Sequence, residues 1–189
     1  MNQLVKYGLI LAAICFAAAL VLSFVYQVTR PAIEEGRRRE EEATRRALLP
    51  GADAFERKTA GEMEYYEGRR EGKTLGYCLT VVGNGYSGFL RMMVGIDPEG
   101  AISGLRVIEH QETPGLGARI IEVKRGEDDP WFLRQFRGKA GRKLALKDIQ
   151  AITGATITSR AVTDAVRAAV DDFYRRTGPG TPGAARGEK

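Results

Sequence analysis

Thr153-Gly154-Ala155-Thr156-Ile157-Thr158-Ser159 joins a short apolar segment, Ala151-Ile152, to a long amphipathic pattern. Small residues there let the backbone come close to a ligand, and hydroxyls line the turn. A helix N-terminus follows, whose free N–H groups and positive dipole end favour an anion. That combination suits a phosphate. The same residues also suit an ordinary helix N-cap. The helix is expected to open near Thr158-Ser159 and to run to Arg175. Val162, Val166, Val170 and Phe173 recur at spacings of three and four, which predicts one face packed on a sheet.

Upstream, alternation predicts that sheet. Thr74 to Val82 reads as a strand, followed by a turn at Gly83-Asn84-Gly85. Phe89 to Ile96 reads as a second strand. Asp97-Pro98-Glu99-Gly100 places Pro and Gly where a type I turn wants them, so Ile102 to Ile108 closes a hairpin. Asp129-Pro130 is expected to cap a short helix through about Phe136. Lys143 to Leu146 reads as a further strand, and Trp131 as core. The fold class is α+β: a mostly antiparallel sheet packed by helices.

The N-terminal region has a different solvent. No charged residue lies between Lys6 and Arg30. At ~1.5 Å per residue, the apolar run 7–29 spans roughly 34 Å, enough to cross a bilayer core. Its apolar residues continue past Ala17-Ala18-Ala19, which favours an uncleaved anchor over a signal peptide. The stretch after Pro31 is charged, with Glu and Arg at helical pairing distances, and Pro50-Gly51 ends it. It reads either as a continuation of the membrane helix or as a fresh helix. Arg30, Arg37, Arg38, Arg39, Arg45 and Arg46 follow the span, which by the positive-inside rule would hold the domain in the cytoplasm.

Composition narrows the chemistry. The 189 residues carry 43% apolar and 28% charged side chains and a net charge of +5. Basic residues are scattered, and Arg37-Arg38-Arg39 is followed by Glu40-Glu41-Glu42, so no nucleic-acid stripe forms. There are two cysteines, Cys15 and Cys78, without a C-x-x-C pair, and a single histidine, His110. Iron–sulfur, zinc and histidine-based metal sites therefore lack ligands. A redox role would need an organic group. No acid–base pair or nucleophilic triad is evident.

Thr153 to Val162 reads TGATITSRAV, and His110 to Gly117 reads HQETPGLG. With the membrane span, these stretches resemble the FMN-binding subunit designated G of the Rnf electron-transport complex. Its flavin domain is shared by the subunit designated C of the sodium-pumping NADH:quinone reductase. The resemblance runs to about Arg175. It implies FMN held covalently by a phosphoester on Thr156, the last Thr of the family's Ser/Thr-Gly-Ala-Thr motif. Gln150 stands where that motif usually has an acidic residue, and the nearest acid is Asp148.

The resemblance also implies a site. Thr153, Gly154, Ala155, Ile157, Thr158 and Ser159 would bed the phosphate and ribityl chain. Glu112, Thr113, Pro114, Gly115, Leu116 and Gly117 would form a loop against the ring; by themselves they also fit a turn leaving the sheet. Glu112 either polarises the ring or caps a turn. Tyr86, within Gly85-Tyr86-Ser87-Gly88, either stacks on a ligand or merely packs. His110 reads as a strand-end surface residue.

The implied protein is a single-pass component of the bacterial inner membrane, with its FMN domain on the periplasmic side. It would relay electrons in an ion-translocating ferredoxin:NAD oxidoreductase and perform no stand-alone catalysis. Its implied partners are other subunits, a flavin transferase and the bilayer. The alternatives are a quinone-reductase flavoprotein subunit or a cofactor-free assembly module. The expected layout is an N-terminal tail (1–6), a transmembrane helix (7–29), a charged stalk (30–50), an FMN-binding domain (51–176) and a disordered tail (177–189).

Overall fold

A computed structural model describes residues 3–178. The expected disordered tail lies outside the described residues, apart from Thr177, which is helical, and Gly178. The chain divides into two compact units, residues 1–42 and 43–189.

The first unit consists of helix α1, Gln3–Leu48, up to residue 42. The helix runs through Pro31 without interruption, so the charged stretch continues it rather than starting afresh. Residues 3–6, read as part of a tail, are already helical. The apolar part is exposed throughout and has a mean hydropathy of 2.7 over its best window, long and apolar enough to cross a membrane. Beyond it, Arg30 pairs with Glu34 (2.7 Å), and Glu35 pairs with Arg38 (2.9 Å) and Arg39 (3.0 Å) along the helix surface.

The second unit is an α+β domain. Residues 43–50, read above as the end of the stalk, belong to it by their packing. Five strands follow: β1 (Ala54–Ala60), β2 (Met63–Arg70), β3 (Lys73–Asn84), β4 (Phe89–Ile96) and β5 (Ile102–His110). They form one antiparallel sheet in sequence order, a meander whose neighbours are joined by short turns. After β5 the chain is mostly irregular, with one helical turn, α2 (Trp131–Arg134). The long helix α3 (Thr156–Thr177) comes last.

Each sheet face has its own core. On one face, Val162, Val166, Val170 and Phe173 of α3 bury against Leu79, Val81, Leu90, Met92, Val94 and Ile96. Phe173 also makes ring contacts with Tyr65 (5.1 Å) and Tyr77 (4.9 Å). On the other face, Leu48 and Leu49 cover Cys78 and Met93. Ser103 donates to the Leu48 carbonyl at 2.8 Å, which anchors the end of α1 to β5. Interior strand β4 is therefore covered on both sides. The Cys78 thiol is fully buried, and burial pushes its pKa up to about 12.

Several expectations are corrected. Strands β1 and β2 were not foreseen. Gly83 and Asn84 belong to β3, and the turn falls at 85–88, closed by the Gly85 N–H to the Gly88 carbonyl (2.8 Å). Residues 143–146 are not a strand: 3-10 turns at Gly141–Lys143 and Leu146–Asp148 flank one extended stretch. The Ala145 N–H is taken by the Asp148 carboxylate (3.1 Å), so no ladder forms. Asp129 does not cap α2; its carboxylate pairs with Arg106 and, at 3.6 Å, with Arg137. Trp131 is only partly buried, with Lys124 over its ring. Helix α3 opens two residues earlier than expected, at Thr156.

The unforeseen strands hold a buried ion cluster. Glu67 of β2 is 2% exposed and pairs with Lys58 and with Arg69 (3.1 Å), while the Thr74 hydroxyl donates to it at 2.5 Å. Burial alone would raise its carboxyl pKa. Hydrogen bonds from Lys58, Thr74 and Arg69 outweigh that and hold it at about 2, against an ordinary 4.5. A lowered folded pKa gives stability that is present above the ordinary value and lost as pH falls towards 2. Acid unfolding of the wild type should therefore steepen below about pH 4.5 relative to Glu67→Gln, whose curve lacks this contribution.

Candidate functional site

The N-terminus of α3 sorts the hydroxyls of its leading sequence by direction. Ser159 is fully buried: it accepts the Ile152 N–H (3.0 Å) and donates to the Ala155 carbonyl (2.9 Å). Thr158 is 1% exposed and donates to Glu112 (2.9 Å). Thr156 is exposed and is the first helical residue. The residue before the helix is Ala155, with no side-chain cap. The hydroxyls thus do not cap the helix in the ordinary way; two of them tie it inward. Gly154 takes φ 80°, a left-handed turn that brings the chain into the helix.

A cleft of about 430 Å³ opens over this helix end. Three segments wall it: Tyr86 from the β3–β4 loop; Glu112, Thr113, Leu116 and Gly117 from the loop after β5; and Gly154 through Thr158. The volume falls in the range of about 300–1,000 Å³ usual for small-molecule sites. Tyr86, Leu116 and Ile157 stay exposed at its edges and offer apolar surface. Backbone N–H groups of the first turn of α3 lack helical acceptors.

Of the residues singled out in the sequence, the cleft gathers Tyr86, Glu112, Thr113, Leu116, Gly117, Gly154, Ala155, Thr156, Ile157 and Thr158. Thr153, Pro114, Gly115 and Ser159 do not line it. Thr153 is exposed beside it, and Ser159 lies beneath it. His110 ends β5 and accepts the Glu112 N–H (3.3 Å). Gln135 was missed. Its side-chain amide takes both backbone groups of Gln150, the N–H at 2.8 Å and the carbonyl at 3.2 Å, and so steadies the approach to Thr153.

These donors suit FMN. An anion fits the bare N–H groups at the head of α3, and an apolar ring fits between Tyr86, Leu116 and Ile157. An accessible hydroxyl, that of Thr156, lies where the two meet.

Comparison with known proteins follows the same lines. A model of the RnfG N-terminal region matches residues 1–48, and an FMN-binding domain model matches residues 85–171. The subunit designated G of the proton-translocating ferredoxin:NAD(+) oxidoreductase complex of Clostridium ljungdahlii is 33% identical, over 87% of this chain and 88% of that one. The chain belongs to the RnfG family of ion-translocating oxidoreductase complexes. Another member, from the Na(+)-translocating ferredoxin:NAD(+) oxidoreductase complex of Acetobacterium woodii, is 34% identical over 89% of this chain and 90% of that one. A third, from the ion-translocating oxidoreductase complex of Methanosarcina acetivorans, is 30% identical over 90% and 94%. Among solved structures, the subunit designated C of the Na(+)-translocating NADH-quinone reductase of Parabacteroides distasonis aligns with a TM-score of 0.49 at 21% identity. That alignment covers 63% of this chain and 64% of that one, short of two thirds.

Ser159 offers a direct check on how the family motif is held. Ser159→Ala strands the buried Ile152 N–H, so unfolding free energy should fall by about 1–3 kcal/mol, measured by thermal or denaturant unfolding.

Proposed function

We propose that this chain is the membrane-anchored electron-relay subunit of an Rnf-type ferredoxin:NAD oxidoreductase coupled to ion transport, with FMN joined to Thr156 through a phosphoester. Family membership supports the relay reading, and the FMN-binding domain supports the cofactor. The observation that carries the attachment is the sorting of hydroxyls. Among Thr153, Thr156, Thr158 and Ser159, only Thr156 is both exposed and on the cleft.

The residues divide the work by chemistry. The first turn of α3 binds the phosphate, with the helix dipole in its favour. Thr156 Oγ1 is the ester oxygen. Thr158 serves the wall of the cleft through Glu112 rather than the cofactor. Tyr86, Leu116 and Ile157 shield the ring from water. When bound, FMN supplies one- and two-electron redox chemistry, at a potential that its surroundings tune. A tethered group is not lost between turnovers, as a relay requires. The implied partners are the other subunits, a flavin transferase that makes the ester, and the bilayer around residues 7–29.

Mass spectrometry of protein from its native membrane tests the ester. The peptide containing Thr156 should gain FMN less one water, and Thr156→Val should abolish the gain and leave denatured protein colourless. An unmodified wild-type peptide, with an active transferase present, would support the cofactor-free assembly module instead.

We infer that the domain lies on the periplasmic side; family resemblance supports this, against the pull of Arg30 and Arg37 to Arg39. Lys73 is exposed, and Cys78 is buried with its thiol pKa raised. In a Cys15→Ser background, Lys73→Cys should therefore react with a membrane-impermeant maleimide in intact spheroplasts. Labelling only after lysis would put the domain in the cytoplasm.

A further inference from the structure

One side chain touches all three walls of the cleft. Glu112 belongs to the loop after β5 and is 6% exposed. Its Oε1 accepts the Tyr86 N–H at 2.8 Å, from the β3–β4 loop. Its Oε2 accepts the Thr158 hydroxyl at 2.9 Å, from the first turn of α3. The seat is cut to the carboxylate: a Cβ at Gly85 would collide with Oε1, and one at Gly117 with Oε2. Ser87 and Thr113 hydroxyls join the same two loops at 2.6 Å, but at the surface. The Glu112 bonds are the shielded ones, where water competes least.

We propose that Glu112 is a positioning residue of the cleft. Its carboxylate latches the Tyr86 loop and the head of α3 to the loop after β5, and it fixes a negative charge in the wall facing the cofactor. Each oxygen holds a protein donor, so Glu112 acts on the cleft through Tyr86, Thr158 and its field. The field has one consequence for a redox group in the cleft. Electrons added to a neighbouring group are opposed, which lowers its reduction potential. The charge effect rests on the flavin reading above; the latch does not.

Glu112→Gln separates these parts in the full chain in detergent. Its amide keeps both arms, since the oxygen accepts the Tyr86 N–H and the NH2 donates to a Thr158 hydroxyl turned to accept, and only the charge is lost; Glu112→Ala removes the arms as well. Hydrogen exchange is read on Thr156→Val protein, free of covalent flavin. Adding Glu112→Ala there should speed exchange at the Tyr86 amide about tenfold and leave the Val94 amide of β4 unchanged. In flavin-loaded protein, Glu112→Gln should shift the midpoint potential to more positive values. Glu112→Asp, which keeps the charge with a shorter reach, should loosen Tyr86 but hold the potential near wild type. Unchanged Tyr86 exchange in Glu112→Ala overturns the latch, and an unchanged potential in Glu112→Gln overturns the charge effect. Wild type without flavin on Thr156 would sink the functional reading and the charge effect together, while the exchange result still judges the latch.

Discussion

Helix α3 presents its N-terminus to the cleft because its flank is committed to the sheet. Val162, Val166, Val170 and Phe173 are buried to 2% exposure or less. Burying each such side chain contributes about 1.5–3 kcal/mol. Tyr174 adds a second restraint, with its ring against Phe173 and its hydroxyl near the carbonyls of the β4–β5 turn. A helix held along this line cannot slide or roll without breaking the larger core. Its first turn is therefore fixed in place, and the free N–H groups there act as a permanent feature of the site rather than a fraying end.

Burial then does the chemical sorting. Four hydroxyls lie within seven residues, and hydrogen bonding commits two of them. Ser159 joins the helix to the strand-like approach at Ile152, and Thr158 reaches across to Glu112. Thr163, one turn further, bonds back to the Ser159 carbonyl (2.8 Å). Of the four, Thr156 alone is both exposed and on the cleft. A site that must expose one nucleophilic oxygen gains from neighbours that are already spoken for.

Legibility followed the range of the interactions involved. β4 and the start of β5 could be read because an apolar run meets a turn whose Pro and Gly act locally. The periodic face of α3 was equally plain. β1 and β2 were not, since Glu56, Arg57 and Lys58 leave Phe55 as the only large apolar residue of β1. What holds them is the ladder to β3 and the ion cluster at Glu67, which are tertiary facts. The two motifs at 110–117 and 153–162 marked the site region. Which hydroxyl points inward, and that Glu112 serves as a joint, depended on partners 26 and 46 residues away, and no short window of sequence holds both ends.

Strand β1 ends the sheet, and among the described residues no strand pairs with its outer side. An open edge of this kind is a template on which unrelated chains can add strands and grow into aggregates. Glu56, Arg57 and Lys58 sit along that border. Any newcomer would have to strip water from these charges before its backbone could pair. The residues that hid this strand from a sequence reader are thus the ones that guard it against unwanted company.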